Sequence, residues 1–230
     1  MKPLIAITVH NRHDTARNCI KHWEMYYTDF SIMIVDDGSD TPFDGATIRN
    51  QTPLGISRAK NQCLEYAREM GYSHIFLADD DVYPLNGNIL YKYINSDFSH
   101  MCLSYEKDIT GRRISNEVYV IEQHRYHWVY NAPCGLLLYC DKLVLDSGVT
   151  YPEMPGRWGL EHRVFSERIH KAGLNPYPFI DIPNAIKEFY SYDYNHAIKG
   201  SVPEKERIES IKINSLCLKS QSQQETDQTN

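Results

Sequence analysis

Residues 74–84 run from an apolar stretch, Ile75-Phe76-Leu77, into three consecutive carboxylates, Asp79-Asp80-Asp81. The apolar stretch reads as a buried central strand. Three acids crowded at its carboxyl end repel one another unless positive charge sits among them. Hard divalent cations take oxygen ligands, and a site shared with phosphates uses only one or two protein carboxylates. In an open α/β sheet, ligands bind at the carboxyl ends of the strands. The triplet therefore marks a place for a cation carrying a diphosphate or, on a plainer reading, a solvated acidic turn closed by Pro84.

The segments before it form a repeating pattern. Leu4–Val9 is a short, β-branched run with the character of a strand buried on both faces, and it ends in His10-Asn11-Arg12. Ala16, Ile20, Trp23 and Tyr27 then recur at helical spacing, with Asp14 or Thr15 as a cap. A second strand, Ile32–Val35, runs into Asp36-Asp37-Gly38-Ser39. After Thr52-Pro53-Leu54-Gly55, Ile56, Ala59, Cys63, Tyr66 and Ala67 share a helix face, and Gly71 ends that helix. Strand, helix, strand, loop, helix, strand predicts an α/β fold with a mixed, mainly parallel sheet flanked by helices.

In this order and spacing, four segments resemble the nucleotide-sugar-binding half of a GT-A glycosyltransferase, similar to family 2 and its galactosyltransferase relatives. They are Thr8-Val9-His10-Asn11-Arg12, Val35-Asp36-Asp37-Gly38-Ser39, Gly55-Ile56-Ser57-Arg58-Ala59-Lys60-Asn61 and the acidic triplet. The resemblance implies a Rossmann-like GT-A domain over residues 1–219, with a nucleotide-sugar half at 1–96 and an acceptor half at 97–219. It implies that Thr8 and Arg12 line the base pocket, that Asp37 accepts from the base, and that Arg58 and Asn61 close the ribose–diphosphate region. Two registers of the triplet are open. In the preferred one, Asp79 lies near the ribose and Asp81 binds Mn²⁺ or Mg²⁺; in the other, Ala78 takes the first acidic position and Asp80 the metal.

The second half extends the resemblance. Asn131-Ala132-Pro133-Cys134-Gly135 resembles the family's strand on the acceptor floor, where Gly135 lets backbone approach a sugar. Gly156-Arg157-Trp158-Gly159-Leu160-Glu161-His162 is similar to its Trp-Gly-x-Glu-Asp segment, which makes Trp158 an acceptor contact. His162 stands where relatives often carry the catalytic Asp. Imidazole titrates near pH 6.5 and suits a base, and Glu161 is the alternative. Adjacent helical residues point about 100° apart, so only one of the two is expected to face the reacting hydroxyl. His196, with Asp193 second, is the expected late metal ligand. Ser201-Val202-Pro203-Glu204 should start a last helix with Ile208, Ile211 and Leu216 inward, followed by a disordered polar tail at 220–230.

The implied activity is metal-dependent transfer of a hexosyl or pentosyl group from a nucleoside diphosphate-sugar, UDP-linked, to an acceptor hydroxyl. A nucleotidyltransferase is the alternative enzyme, but it should carry a glycine-rich loop after the first strand, and Thr8–His13 has no glycine. A non-catalytic nucleotide-sugar-binding module is the other alternative. With 42% hydrophobic residues in 230, the chain can build a full core in one domain. A net charge of −6 with no basic run disfavours duplex nucleic acid and anionic membranes. No apolar run of about 18 residues is present to span a membrane. Six cysteines without a C-x-x-C pair, and no signal peptide, suggest buried thiols in the cytoplasm.

Overall fold

The computed structural model describes residues 3–106, 118–156, 158–192 and 203–228. Its strands are β1 (Leu4–Val9), β2 (Ser31–Asp36), β3 (Ile48–Arg49), β4 (His74–Asp79), β5 (Val82–Pro84), β6 (His100–Cys102), β7 (Val120–Gln123), β8 (Trp128–Tyr130), β9 (Leu137–Asp141), β10 (Ile180–Asp181) and β11 (Phe189–Ser191). Its helices are α1 (His13–Tyr26), α2 (Ile56–Glu69), α3 (Ile89–Ile94), α4 (Lys142–Ser147), α5 (Glu161–Lys171) and α6 (Glu204–Gln228).

The main sheet has the order β3-β2-β1-β4-β9-β6. Its first four strands are parallel, and β9 runs antiparallel to β4 and β6. The chain builds from β1 towards β2 and β3, then returns through α2 to place β4 on β1's other side. That reversal opens a crevice at the carboxyl ends of β1 and β4. The register puts Thr8 beside Asp79 and Val9 beside Asp36, so three of the motifs meet along one sheet edge.

Side-chain alternation explains the β-branched runs, because the central strands are covered on both faces. Ile5, Ile7, Val9, Phe76 and Ala78 pack under α1's Ala16, Cys19 and Trp23. Leu4, Ala6, Ile75 and Leu77 pack on the other face against α2's Ala59, Cys63, Leu64 and Ala67. Trp23 is fully buried and donates its indole N–H to the Val82 carbonyl at 3.0 Å, which ties α1 to the turn after the triplet. The β5–β11 ribbon holds that turn from the other side, where Tyr192 N–H donates to the Asp81 carbonyl at 2.9 Å. All six cysteines are free thiols, and four are buried.

Two local expectations change. Helix α1 starts at His13 with no side-chain cap, so neither Asp14 nor Thr15 caps it. Its entry is set instead by Asn11 at φ 58, whose N–H donates to Ser39 Oγ and whose side-chain oxygen accepts from Asp40 N–H. Helix α6 does not bury Ile208, Ile211 and Leu216, which are 62%, 38% and 60% exposed. Its buried positions are Ser210 and Asn214, because this helix docks on a backbone loop through polar and small groups rather than on a core. It also continues to Gln228, through most of the segment read as a polar tail. Among the described residues, no helix is long and apolar enough to cross a membrane.

Candidate active site

The crevice contains two cavities. A narrow one of about 120 Å³ is lined by Thr8, Val9, His10, Arg12, Asp37 and the acidic triplet, among others. A wider one of about 640 Å³ is lined by residues that include Tyr105, Tyr119, Gly135, Glu161 and His162. Ile56, Asp79, Leu136, Trp158 and Arg207 line both, so these five mark the junction.

Each acid of the triplet has a different setting. Arg12 reaches across from the start of α1 and forks onto Asp80, with Nε donating to Oδ2 at 3.2 Å and Nη2 donating to Oδ1. Its Nη1 donates to Asp81 Oδ2 at 2.9 Å. Asp80 is 2% exposed, and burial raises its pKa while Arg12 opposes the rise. The fork is the stronger influence, since a guanidinium does not lose its proton and a bidentate pair favours the carboxylate. Asp79 is the more open acid. Its Oδ1 lies 3.0 Å from the Lys60 ammonium, which also donates to the Ala78 carbonyl at 2.7 Å. Lys60 is fully buried. The repulsion expected from the sequence is thus answered from within the protein by one guanidinium and one ammonium.

Asp36 and Asp37 anchor loops. Asp36 is fully buried; its carboxylate accepts from Ser39 N–H and Phe43 N–H, both at 2.9 Å, and from Arg49. Asp37, expected to meet the base, accepts from Asn50 and Leu54 N–H on one oxygen and from Gly55 N–H on the other. It thereby fixes the loop that delivers the amino end of α2 to the junction. A carboxylate offers about four acceptor positions, so one remains for a ligand.

On the opposite wall, α5 opens directly on Glu161. Gly159 and Leu160 both have positive φ, 97° and 74°, and this tight turn aims the first helical residue into the cleft. Glu161 and His162 both line the wide cavity, with Oε1 of one 3.6 Å from Nε2 of the other. The turn at the helix start brings both side chains to the cleft. Burial pushes the Glu161 carboxyl up to about 7 and pulls the His162 imidazole down to about 4. His162 Nδ1 lies 3.2 Å from the Tyr151 hydroxyl. Burial holds that hydroxyl's pKa well above its ordinary value, so it is protonated and donates to Nδ1. The neutral imidazole then carries its proton on Nε2, turned towards Glu161. Gly135 makes room for this ring: it has φ +85°, and a Cβ there would lie 2.7 Å from His162 Cδ2.

The Trp158 loop is clamped by α6. Asn214 is fully buried; its carbonyl accepts from Gly156 N–H at 2.8 Å, and its NH₂ donates to the Trp158 and Gly159 carbonyls at 3.2 and 2.9 Å. A Cβ on Gly159 would meet Ile211 at 2.7 Å, so glycine allows the close approach. The Arg207 guanidinium lies 4.1 Å above the Trp158 ring.

Thr8, Arg12, Asp37, Asp79, Asp80, Asp81, Gly135, Trp158, Glu161 and His162 thus share one cleft. Arg58 and Asn61 are not among its lining residues. Arg58 is exposed, 3.8 Å from Glu153, while Asn61 holds the Tyr151 backbone through both of its amide atoms. His196 and Asp193 lie outside the described residues. Lys60, Tyr151, Arg207 and Asn214 were missed. A signal existed for Lys60, a lysine on the apolar stripe of Ile56, Cys63 and Ala67. None existed for Arg207 or Asn214, which stand on a mostly polar helix.

Among the described residues, no three or more His, Cys, Asp or Glu side chains converge to hold a metal by themselves. A cation shared with ligand phosphates needs only one or two carboxylates. Asp79 and Asp81, both lining the narrow cavity, fit that smaller donor set.

The sequence matches no protein-family model and no curated protein. Solved structures are similar in fold. One is a Drosophila β1,4-galactosyltransferase 7 mutant in complex with manganese, UDP-Gal and xylobiose: 17% identity, TM-score 0.56, covering 90% of this chain and 79% of that one. Another is the mannosyltransferase PcManGT from Pyrobaculum calidifontis in complex with GDP-Man and Mn²⁺: 13% identity, TM-score 0.54, 76% of this chain and 53% of that one. A CMP:2-keto-3-deoxy-manno-octonic acid synthetase complexed with CTP matches at 12% identity and TM-score 0.48, over 76% of this chain and 88% of that one. The chain has the GT-A fold.

Proposed function

We propose that this protein transfers a sugar from a nucleoside diphosphate-sugar, UDP-linked, to an acceptor hydroxyl. The observation that carries the reading is the junction: the acidic strand end on one side and the buried Glu161 carboxyl on the other open onto one cleft through Asp79. The two GT-A structures that hold UDP-Gal and GDP-Man with manganese support a donor of this class.

Each residue has a role in this scheme. Thr8, Val9 and Asp37 border the nucleoside, and Asp37 keeps one acceptor position for the base. Lys60 orients Asp79, and Arg12 holds Asp80 and Asp81 in place. Asp79 and Asp81 would hold a divalent cation, which when bound compensates charge on a departing diphosphate. Glu161 takes the proton of the acceptor hydroxyl. A carboxyl near 7 is better matched to that task than an imidazole near 4, so the base role passes from His162 to Glu161. Neutral His162, oriented by Tyr151, turns Nε2–H towards Glu161 and positions it. In the alternative, nucleotidyl transfer, a backbone cradle should follow β1. Here the Asn11 N–H in that loop is already taken by Ser39 Oγ.

A thermal-shift screen of nucleotide-sugars with and without Mn²⁺ tests the donor class. At about 100 times its Kd, a ligand of the native state adds about 2.7 kcal/mol of apparent stability. UDP-sugars with Mn²⁺ should give the largest rise in Tm. A screen in which no nucleoside diphosphate-sugar raises Tm contradicts the proposal.

A further inference from the structure

We infer that Arg207, on the carboxyl-terminal helix, is the cation that receives the donor's diphosphate. This rests on the donor reading above and adds to it a residue outside the motifs. Among the described residues, three arginines line the two cavities. Arg12 is committed to Asp80 and Asp81, and Arg163 pairs with Glu167 at 3.0 Å on the exposed side of α5. Arg207 pairs with no carboxylate among the described residues, and it is the one that lines both cavities.

Its position is built. Asn214, two helical turns further along α6, locks the helix onto the Trp158 loop with three hydrogen bonds. Stacking on Trp158 fixes the plane of the guanidinium at the junction while leaving its N–H edge for a ligand. The amino end of α2 opens on the same junction through Ile56, and its unpaired N–H groups also favour an anion. Against this stand the acidic groups of the strand end. A diphosphate at the junction therefore needs a facing cation, and a planar, bidentate donor suits phosphate oxygens.

The test compares UDP, by calorimetry, with uridine, by ligand-observed NMR, on the full chain in Mn²⁺ over a range of salt. Arg207→Ala should weaken UDP about ten- to hundredfold, leave uridine unchanged and flatten the salt dependence of UDP binding. Arg207→Lys should recover part of the loss, since it restores charge without the fork. Equal losses for UDP and uridine would mean that Arg207 only props the Trp158 loop, and this overturns the inference, as does unchanged UDP binding. If wild-type protein binds neither ligand, the donor reading itself fails and takes this inference with it.

Discussion

Glu161→Gln should lower turnover by about 10²–10⁴ while leaving donor affinity nearly unchanged, because it removes a general base and keeps the side chain's shape. In the wild type, turnover should rise with pH through a limb near 7, where burial places the carboxyl, and this limb should vanish in the variant. Stability should move the other way. The folded-state pKa lies above the unfolded one, so the fold favours the protonated form. The contribution of Glu161 to stability is greatest below about 4.5 and falls as pH rises through 7. Glu161→Gln escapes that loss and should be more stable at pH 8, by about 1–3 kcal/mol, with the advantage gone in acid. His162→Ala should cost less turnover, since the neutral imidazole only positions Glu161. A large loss in His162→Ala with near-normal Glu161→Gln would return the base role to the imidazole. Retention of anomeric configuration in the product would count against any base-assisted single displacement.

Asp81→Asn should abolish the Mn²⁺-dependent part of UDP stabilisation and leave the ligand-free protein folded with little change in Tm. Arg12 keeps its fork on Asp80, and the cluster passes from three acids against Arg12 and Lys60 to two against two. Asp80→Asn is the contrast. It breaks the bidentate side of a buried pair and should destabilise the fold by about 3–5 kcal/mol, whatever its effect on metal. Calorimetry of UDP with Mn²⁺ and with EDTA, beside thermal melts, separates the two. Unchanged metal-dependent binding in both Asp79→Asn and Asp81→Asn would rule out these two carboxylates as the cation's ligands.

The central sheet was legible because its signal is local. β-branched runs buried on both faces, a helix between each pair and polar residues at every strand end determine the order of elements, and Thr8, Asp36 and Asp79 meet where that order requires. The acid at the start of α5 was legible for the same reason, from Trp158-Gly159-x-Glu161. What the sequence hid depends on distant partners. Arg12 looked like a residue for a base until Asp80 and Asp81, 68 and 69 positions away, claimed its guanidinium. Asn61 was read as part of the donor site, but its partner is the Tyr151 backbone, 90 positions on. Hydrophobic reading of α6 chose Ile208, Ile211 and Leu216 for the interior. The contact is made mainly by Ser210 and Asn214 against the loop's backbone and by Arg207 over the Trp158 ring, and of the three apolar residues Ile211 touches the loop, at Gly159. A rule that looks for apolar stripes does not find a polar one. The contrast between Glu161 and His162 was equally out of reach, since it arises from burial, which shifts an acid and a base in opposite directions, and from the Tyr151 hydroxyl, whose hydrogen bond to Nδ1 leaves the imidazole's own proton on Nε2.

Phosphorus NMR of the wild-type protein with a panel of UDP-sugars and Mn²⁺ tests sugar transfer most directly, because it identifies the bond that breaks. Release of UDP from at least one UDP-sugar, by slow hydrolysis alone or faster with a hydroxyl acceptor, and its loss in Glu161→Gln, is the expected result. No UDP from any donor, together with pyrophosphate released from a nucleoside triphosphate and a sugar phosphate, would contradict it.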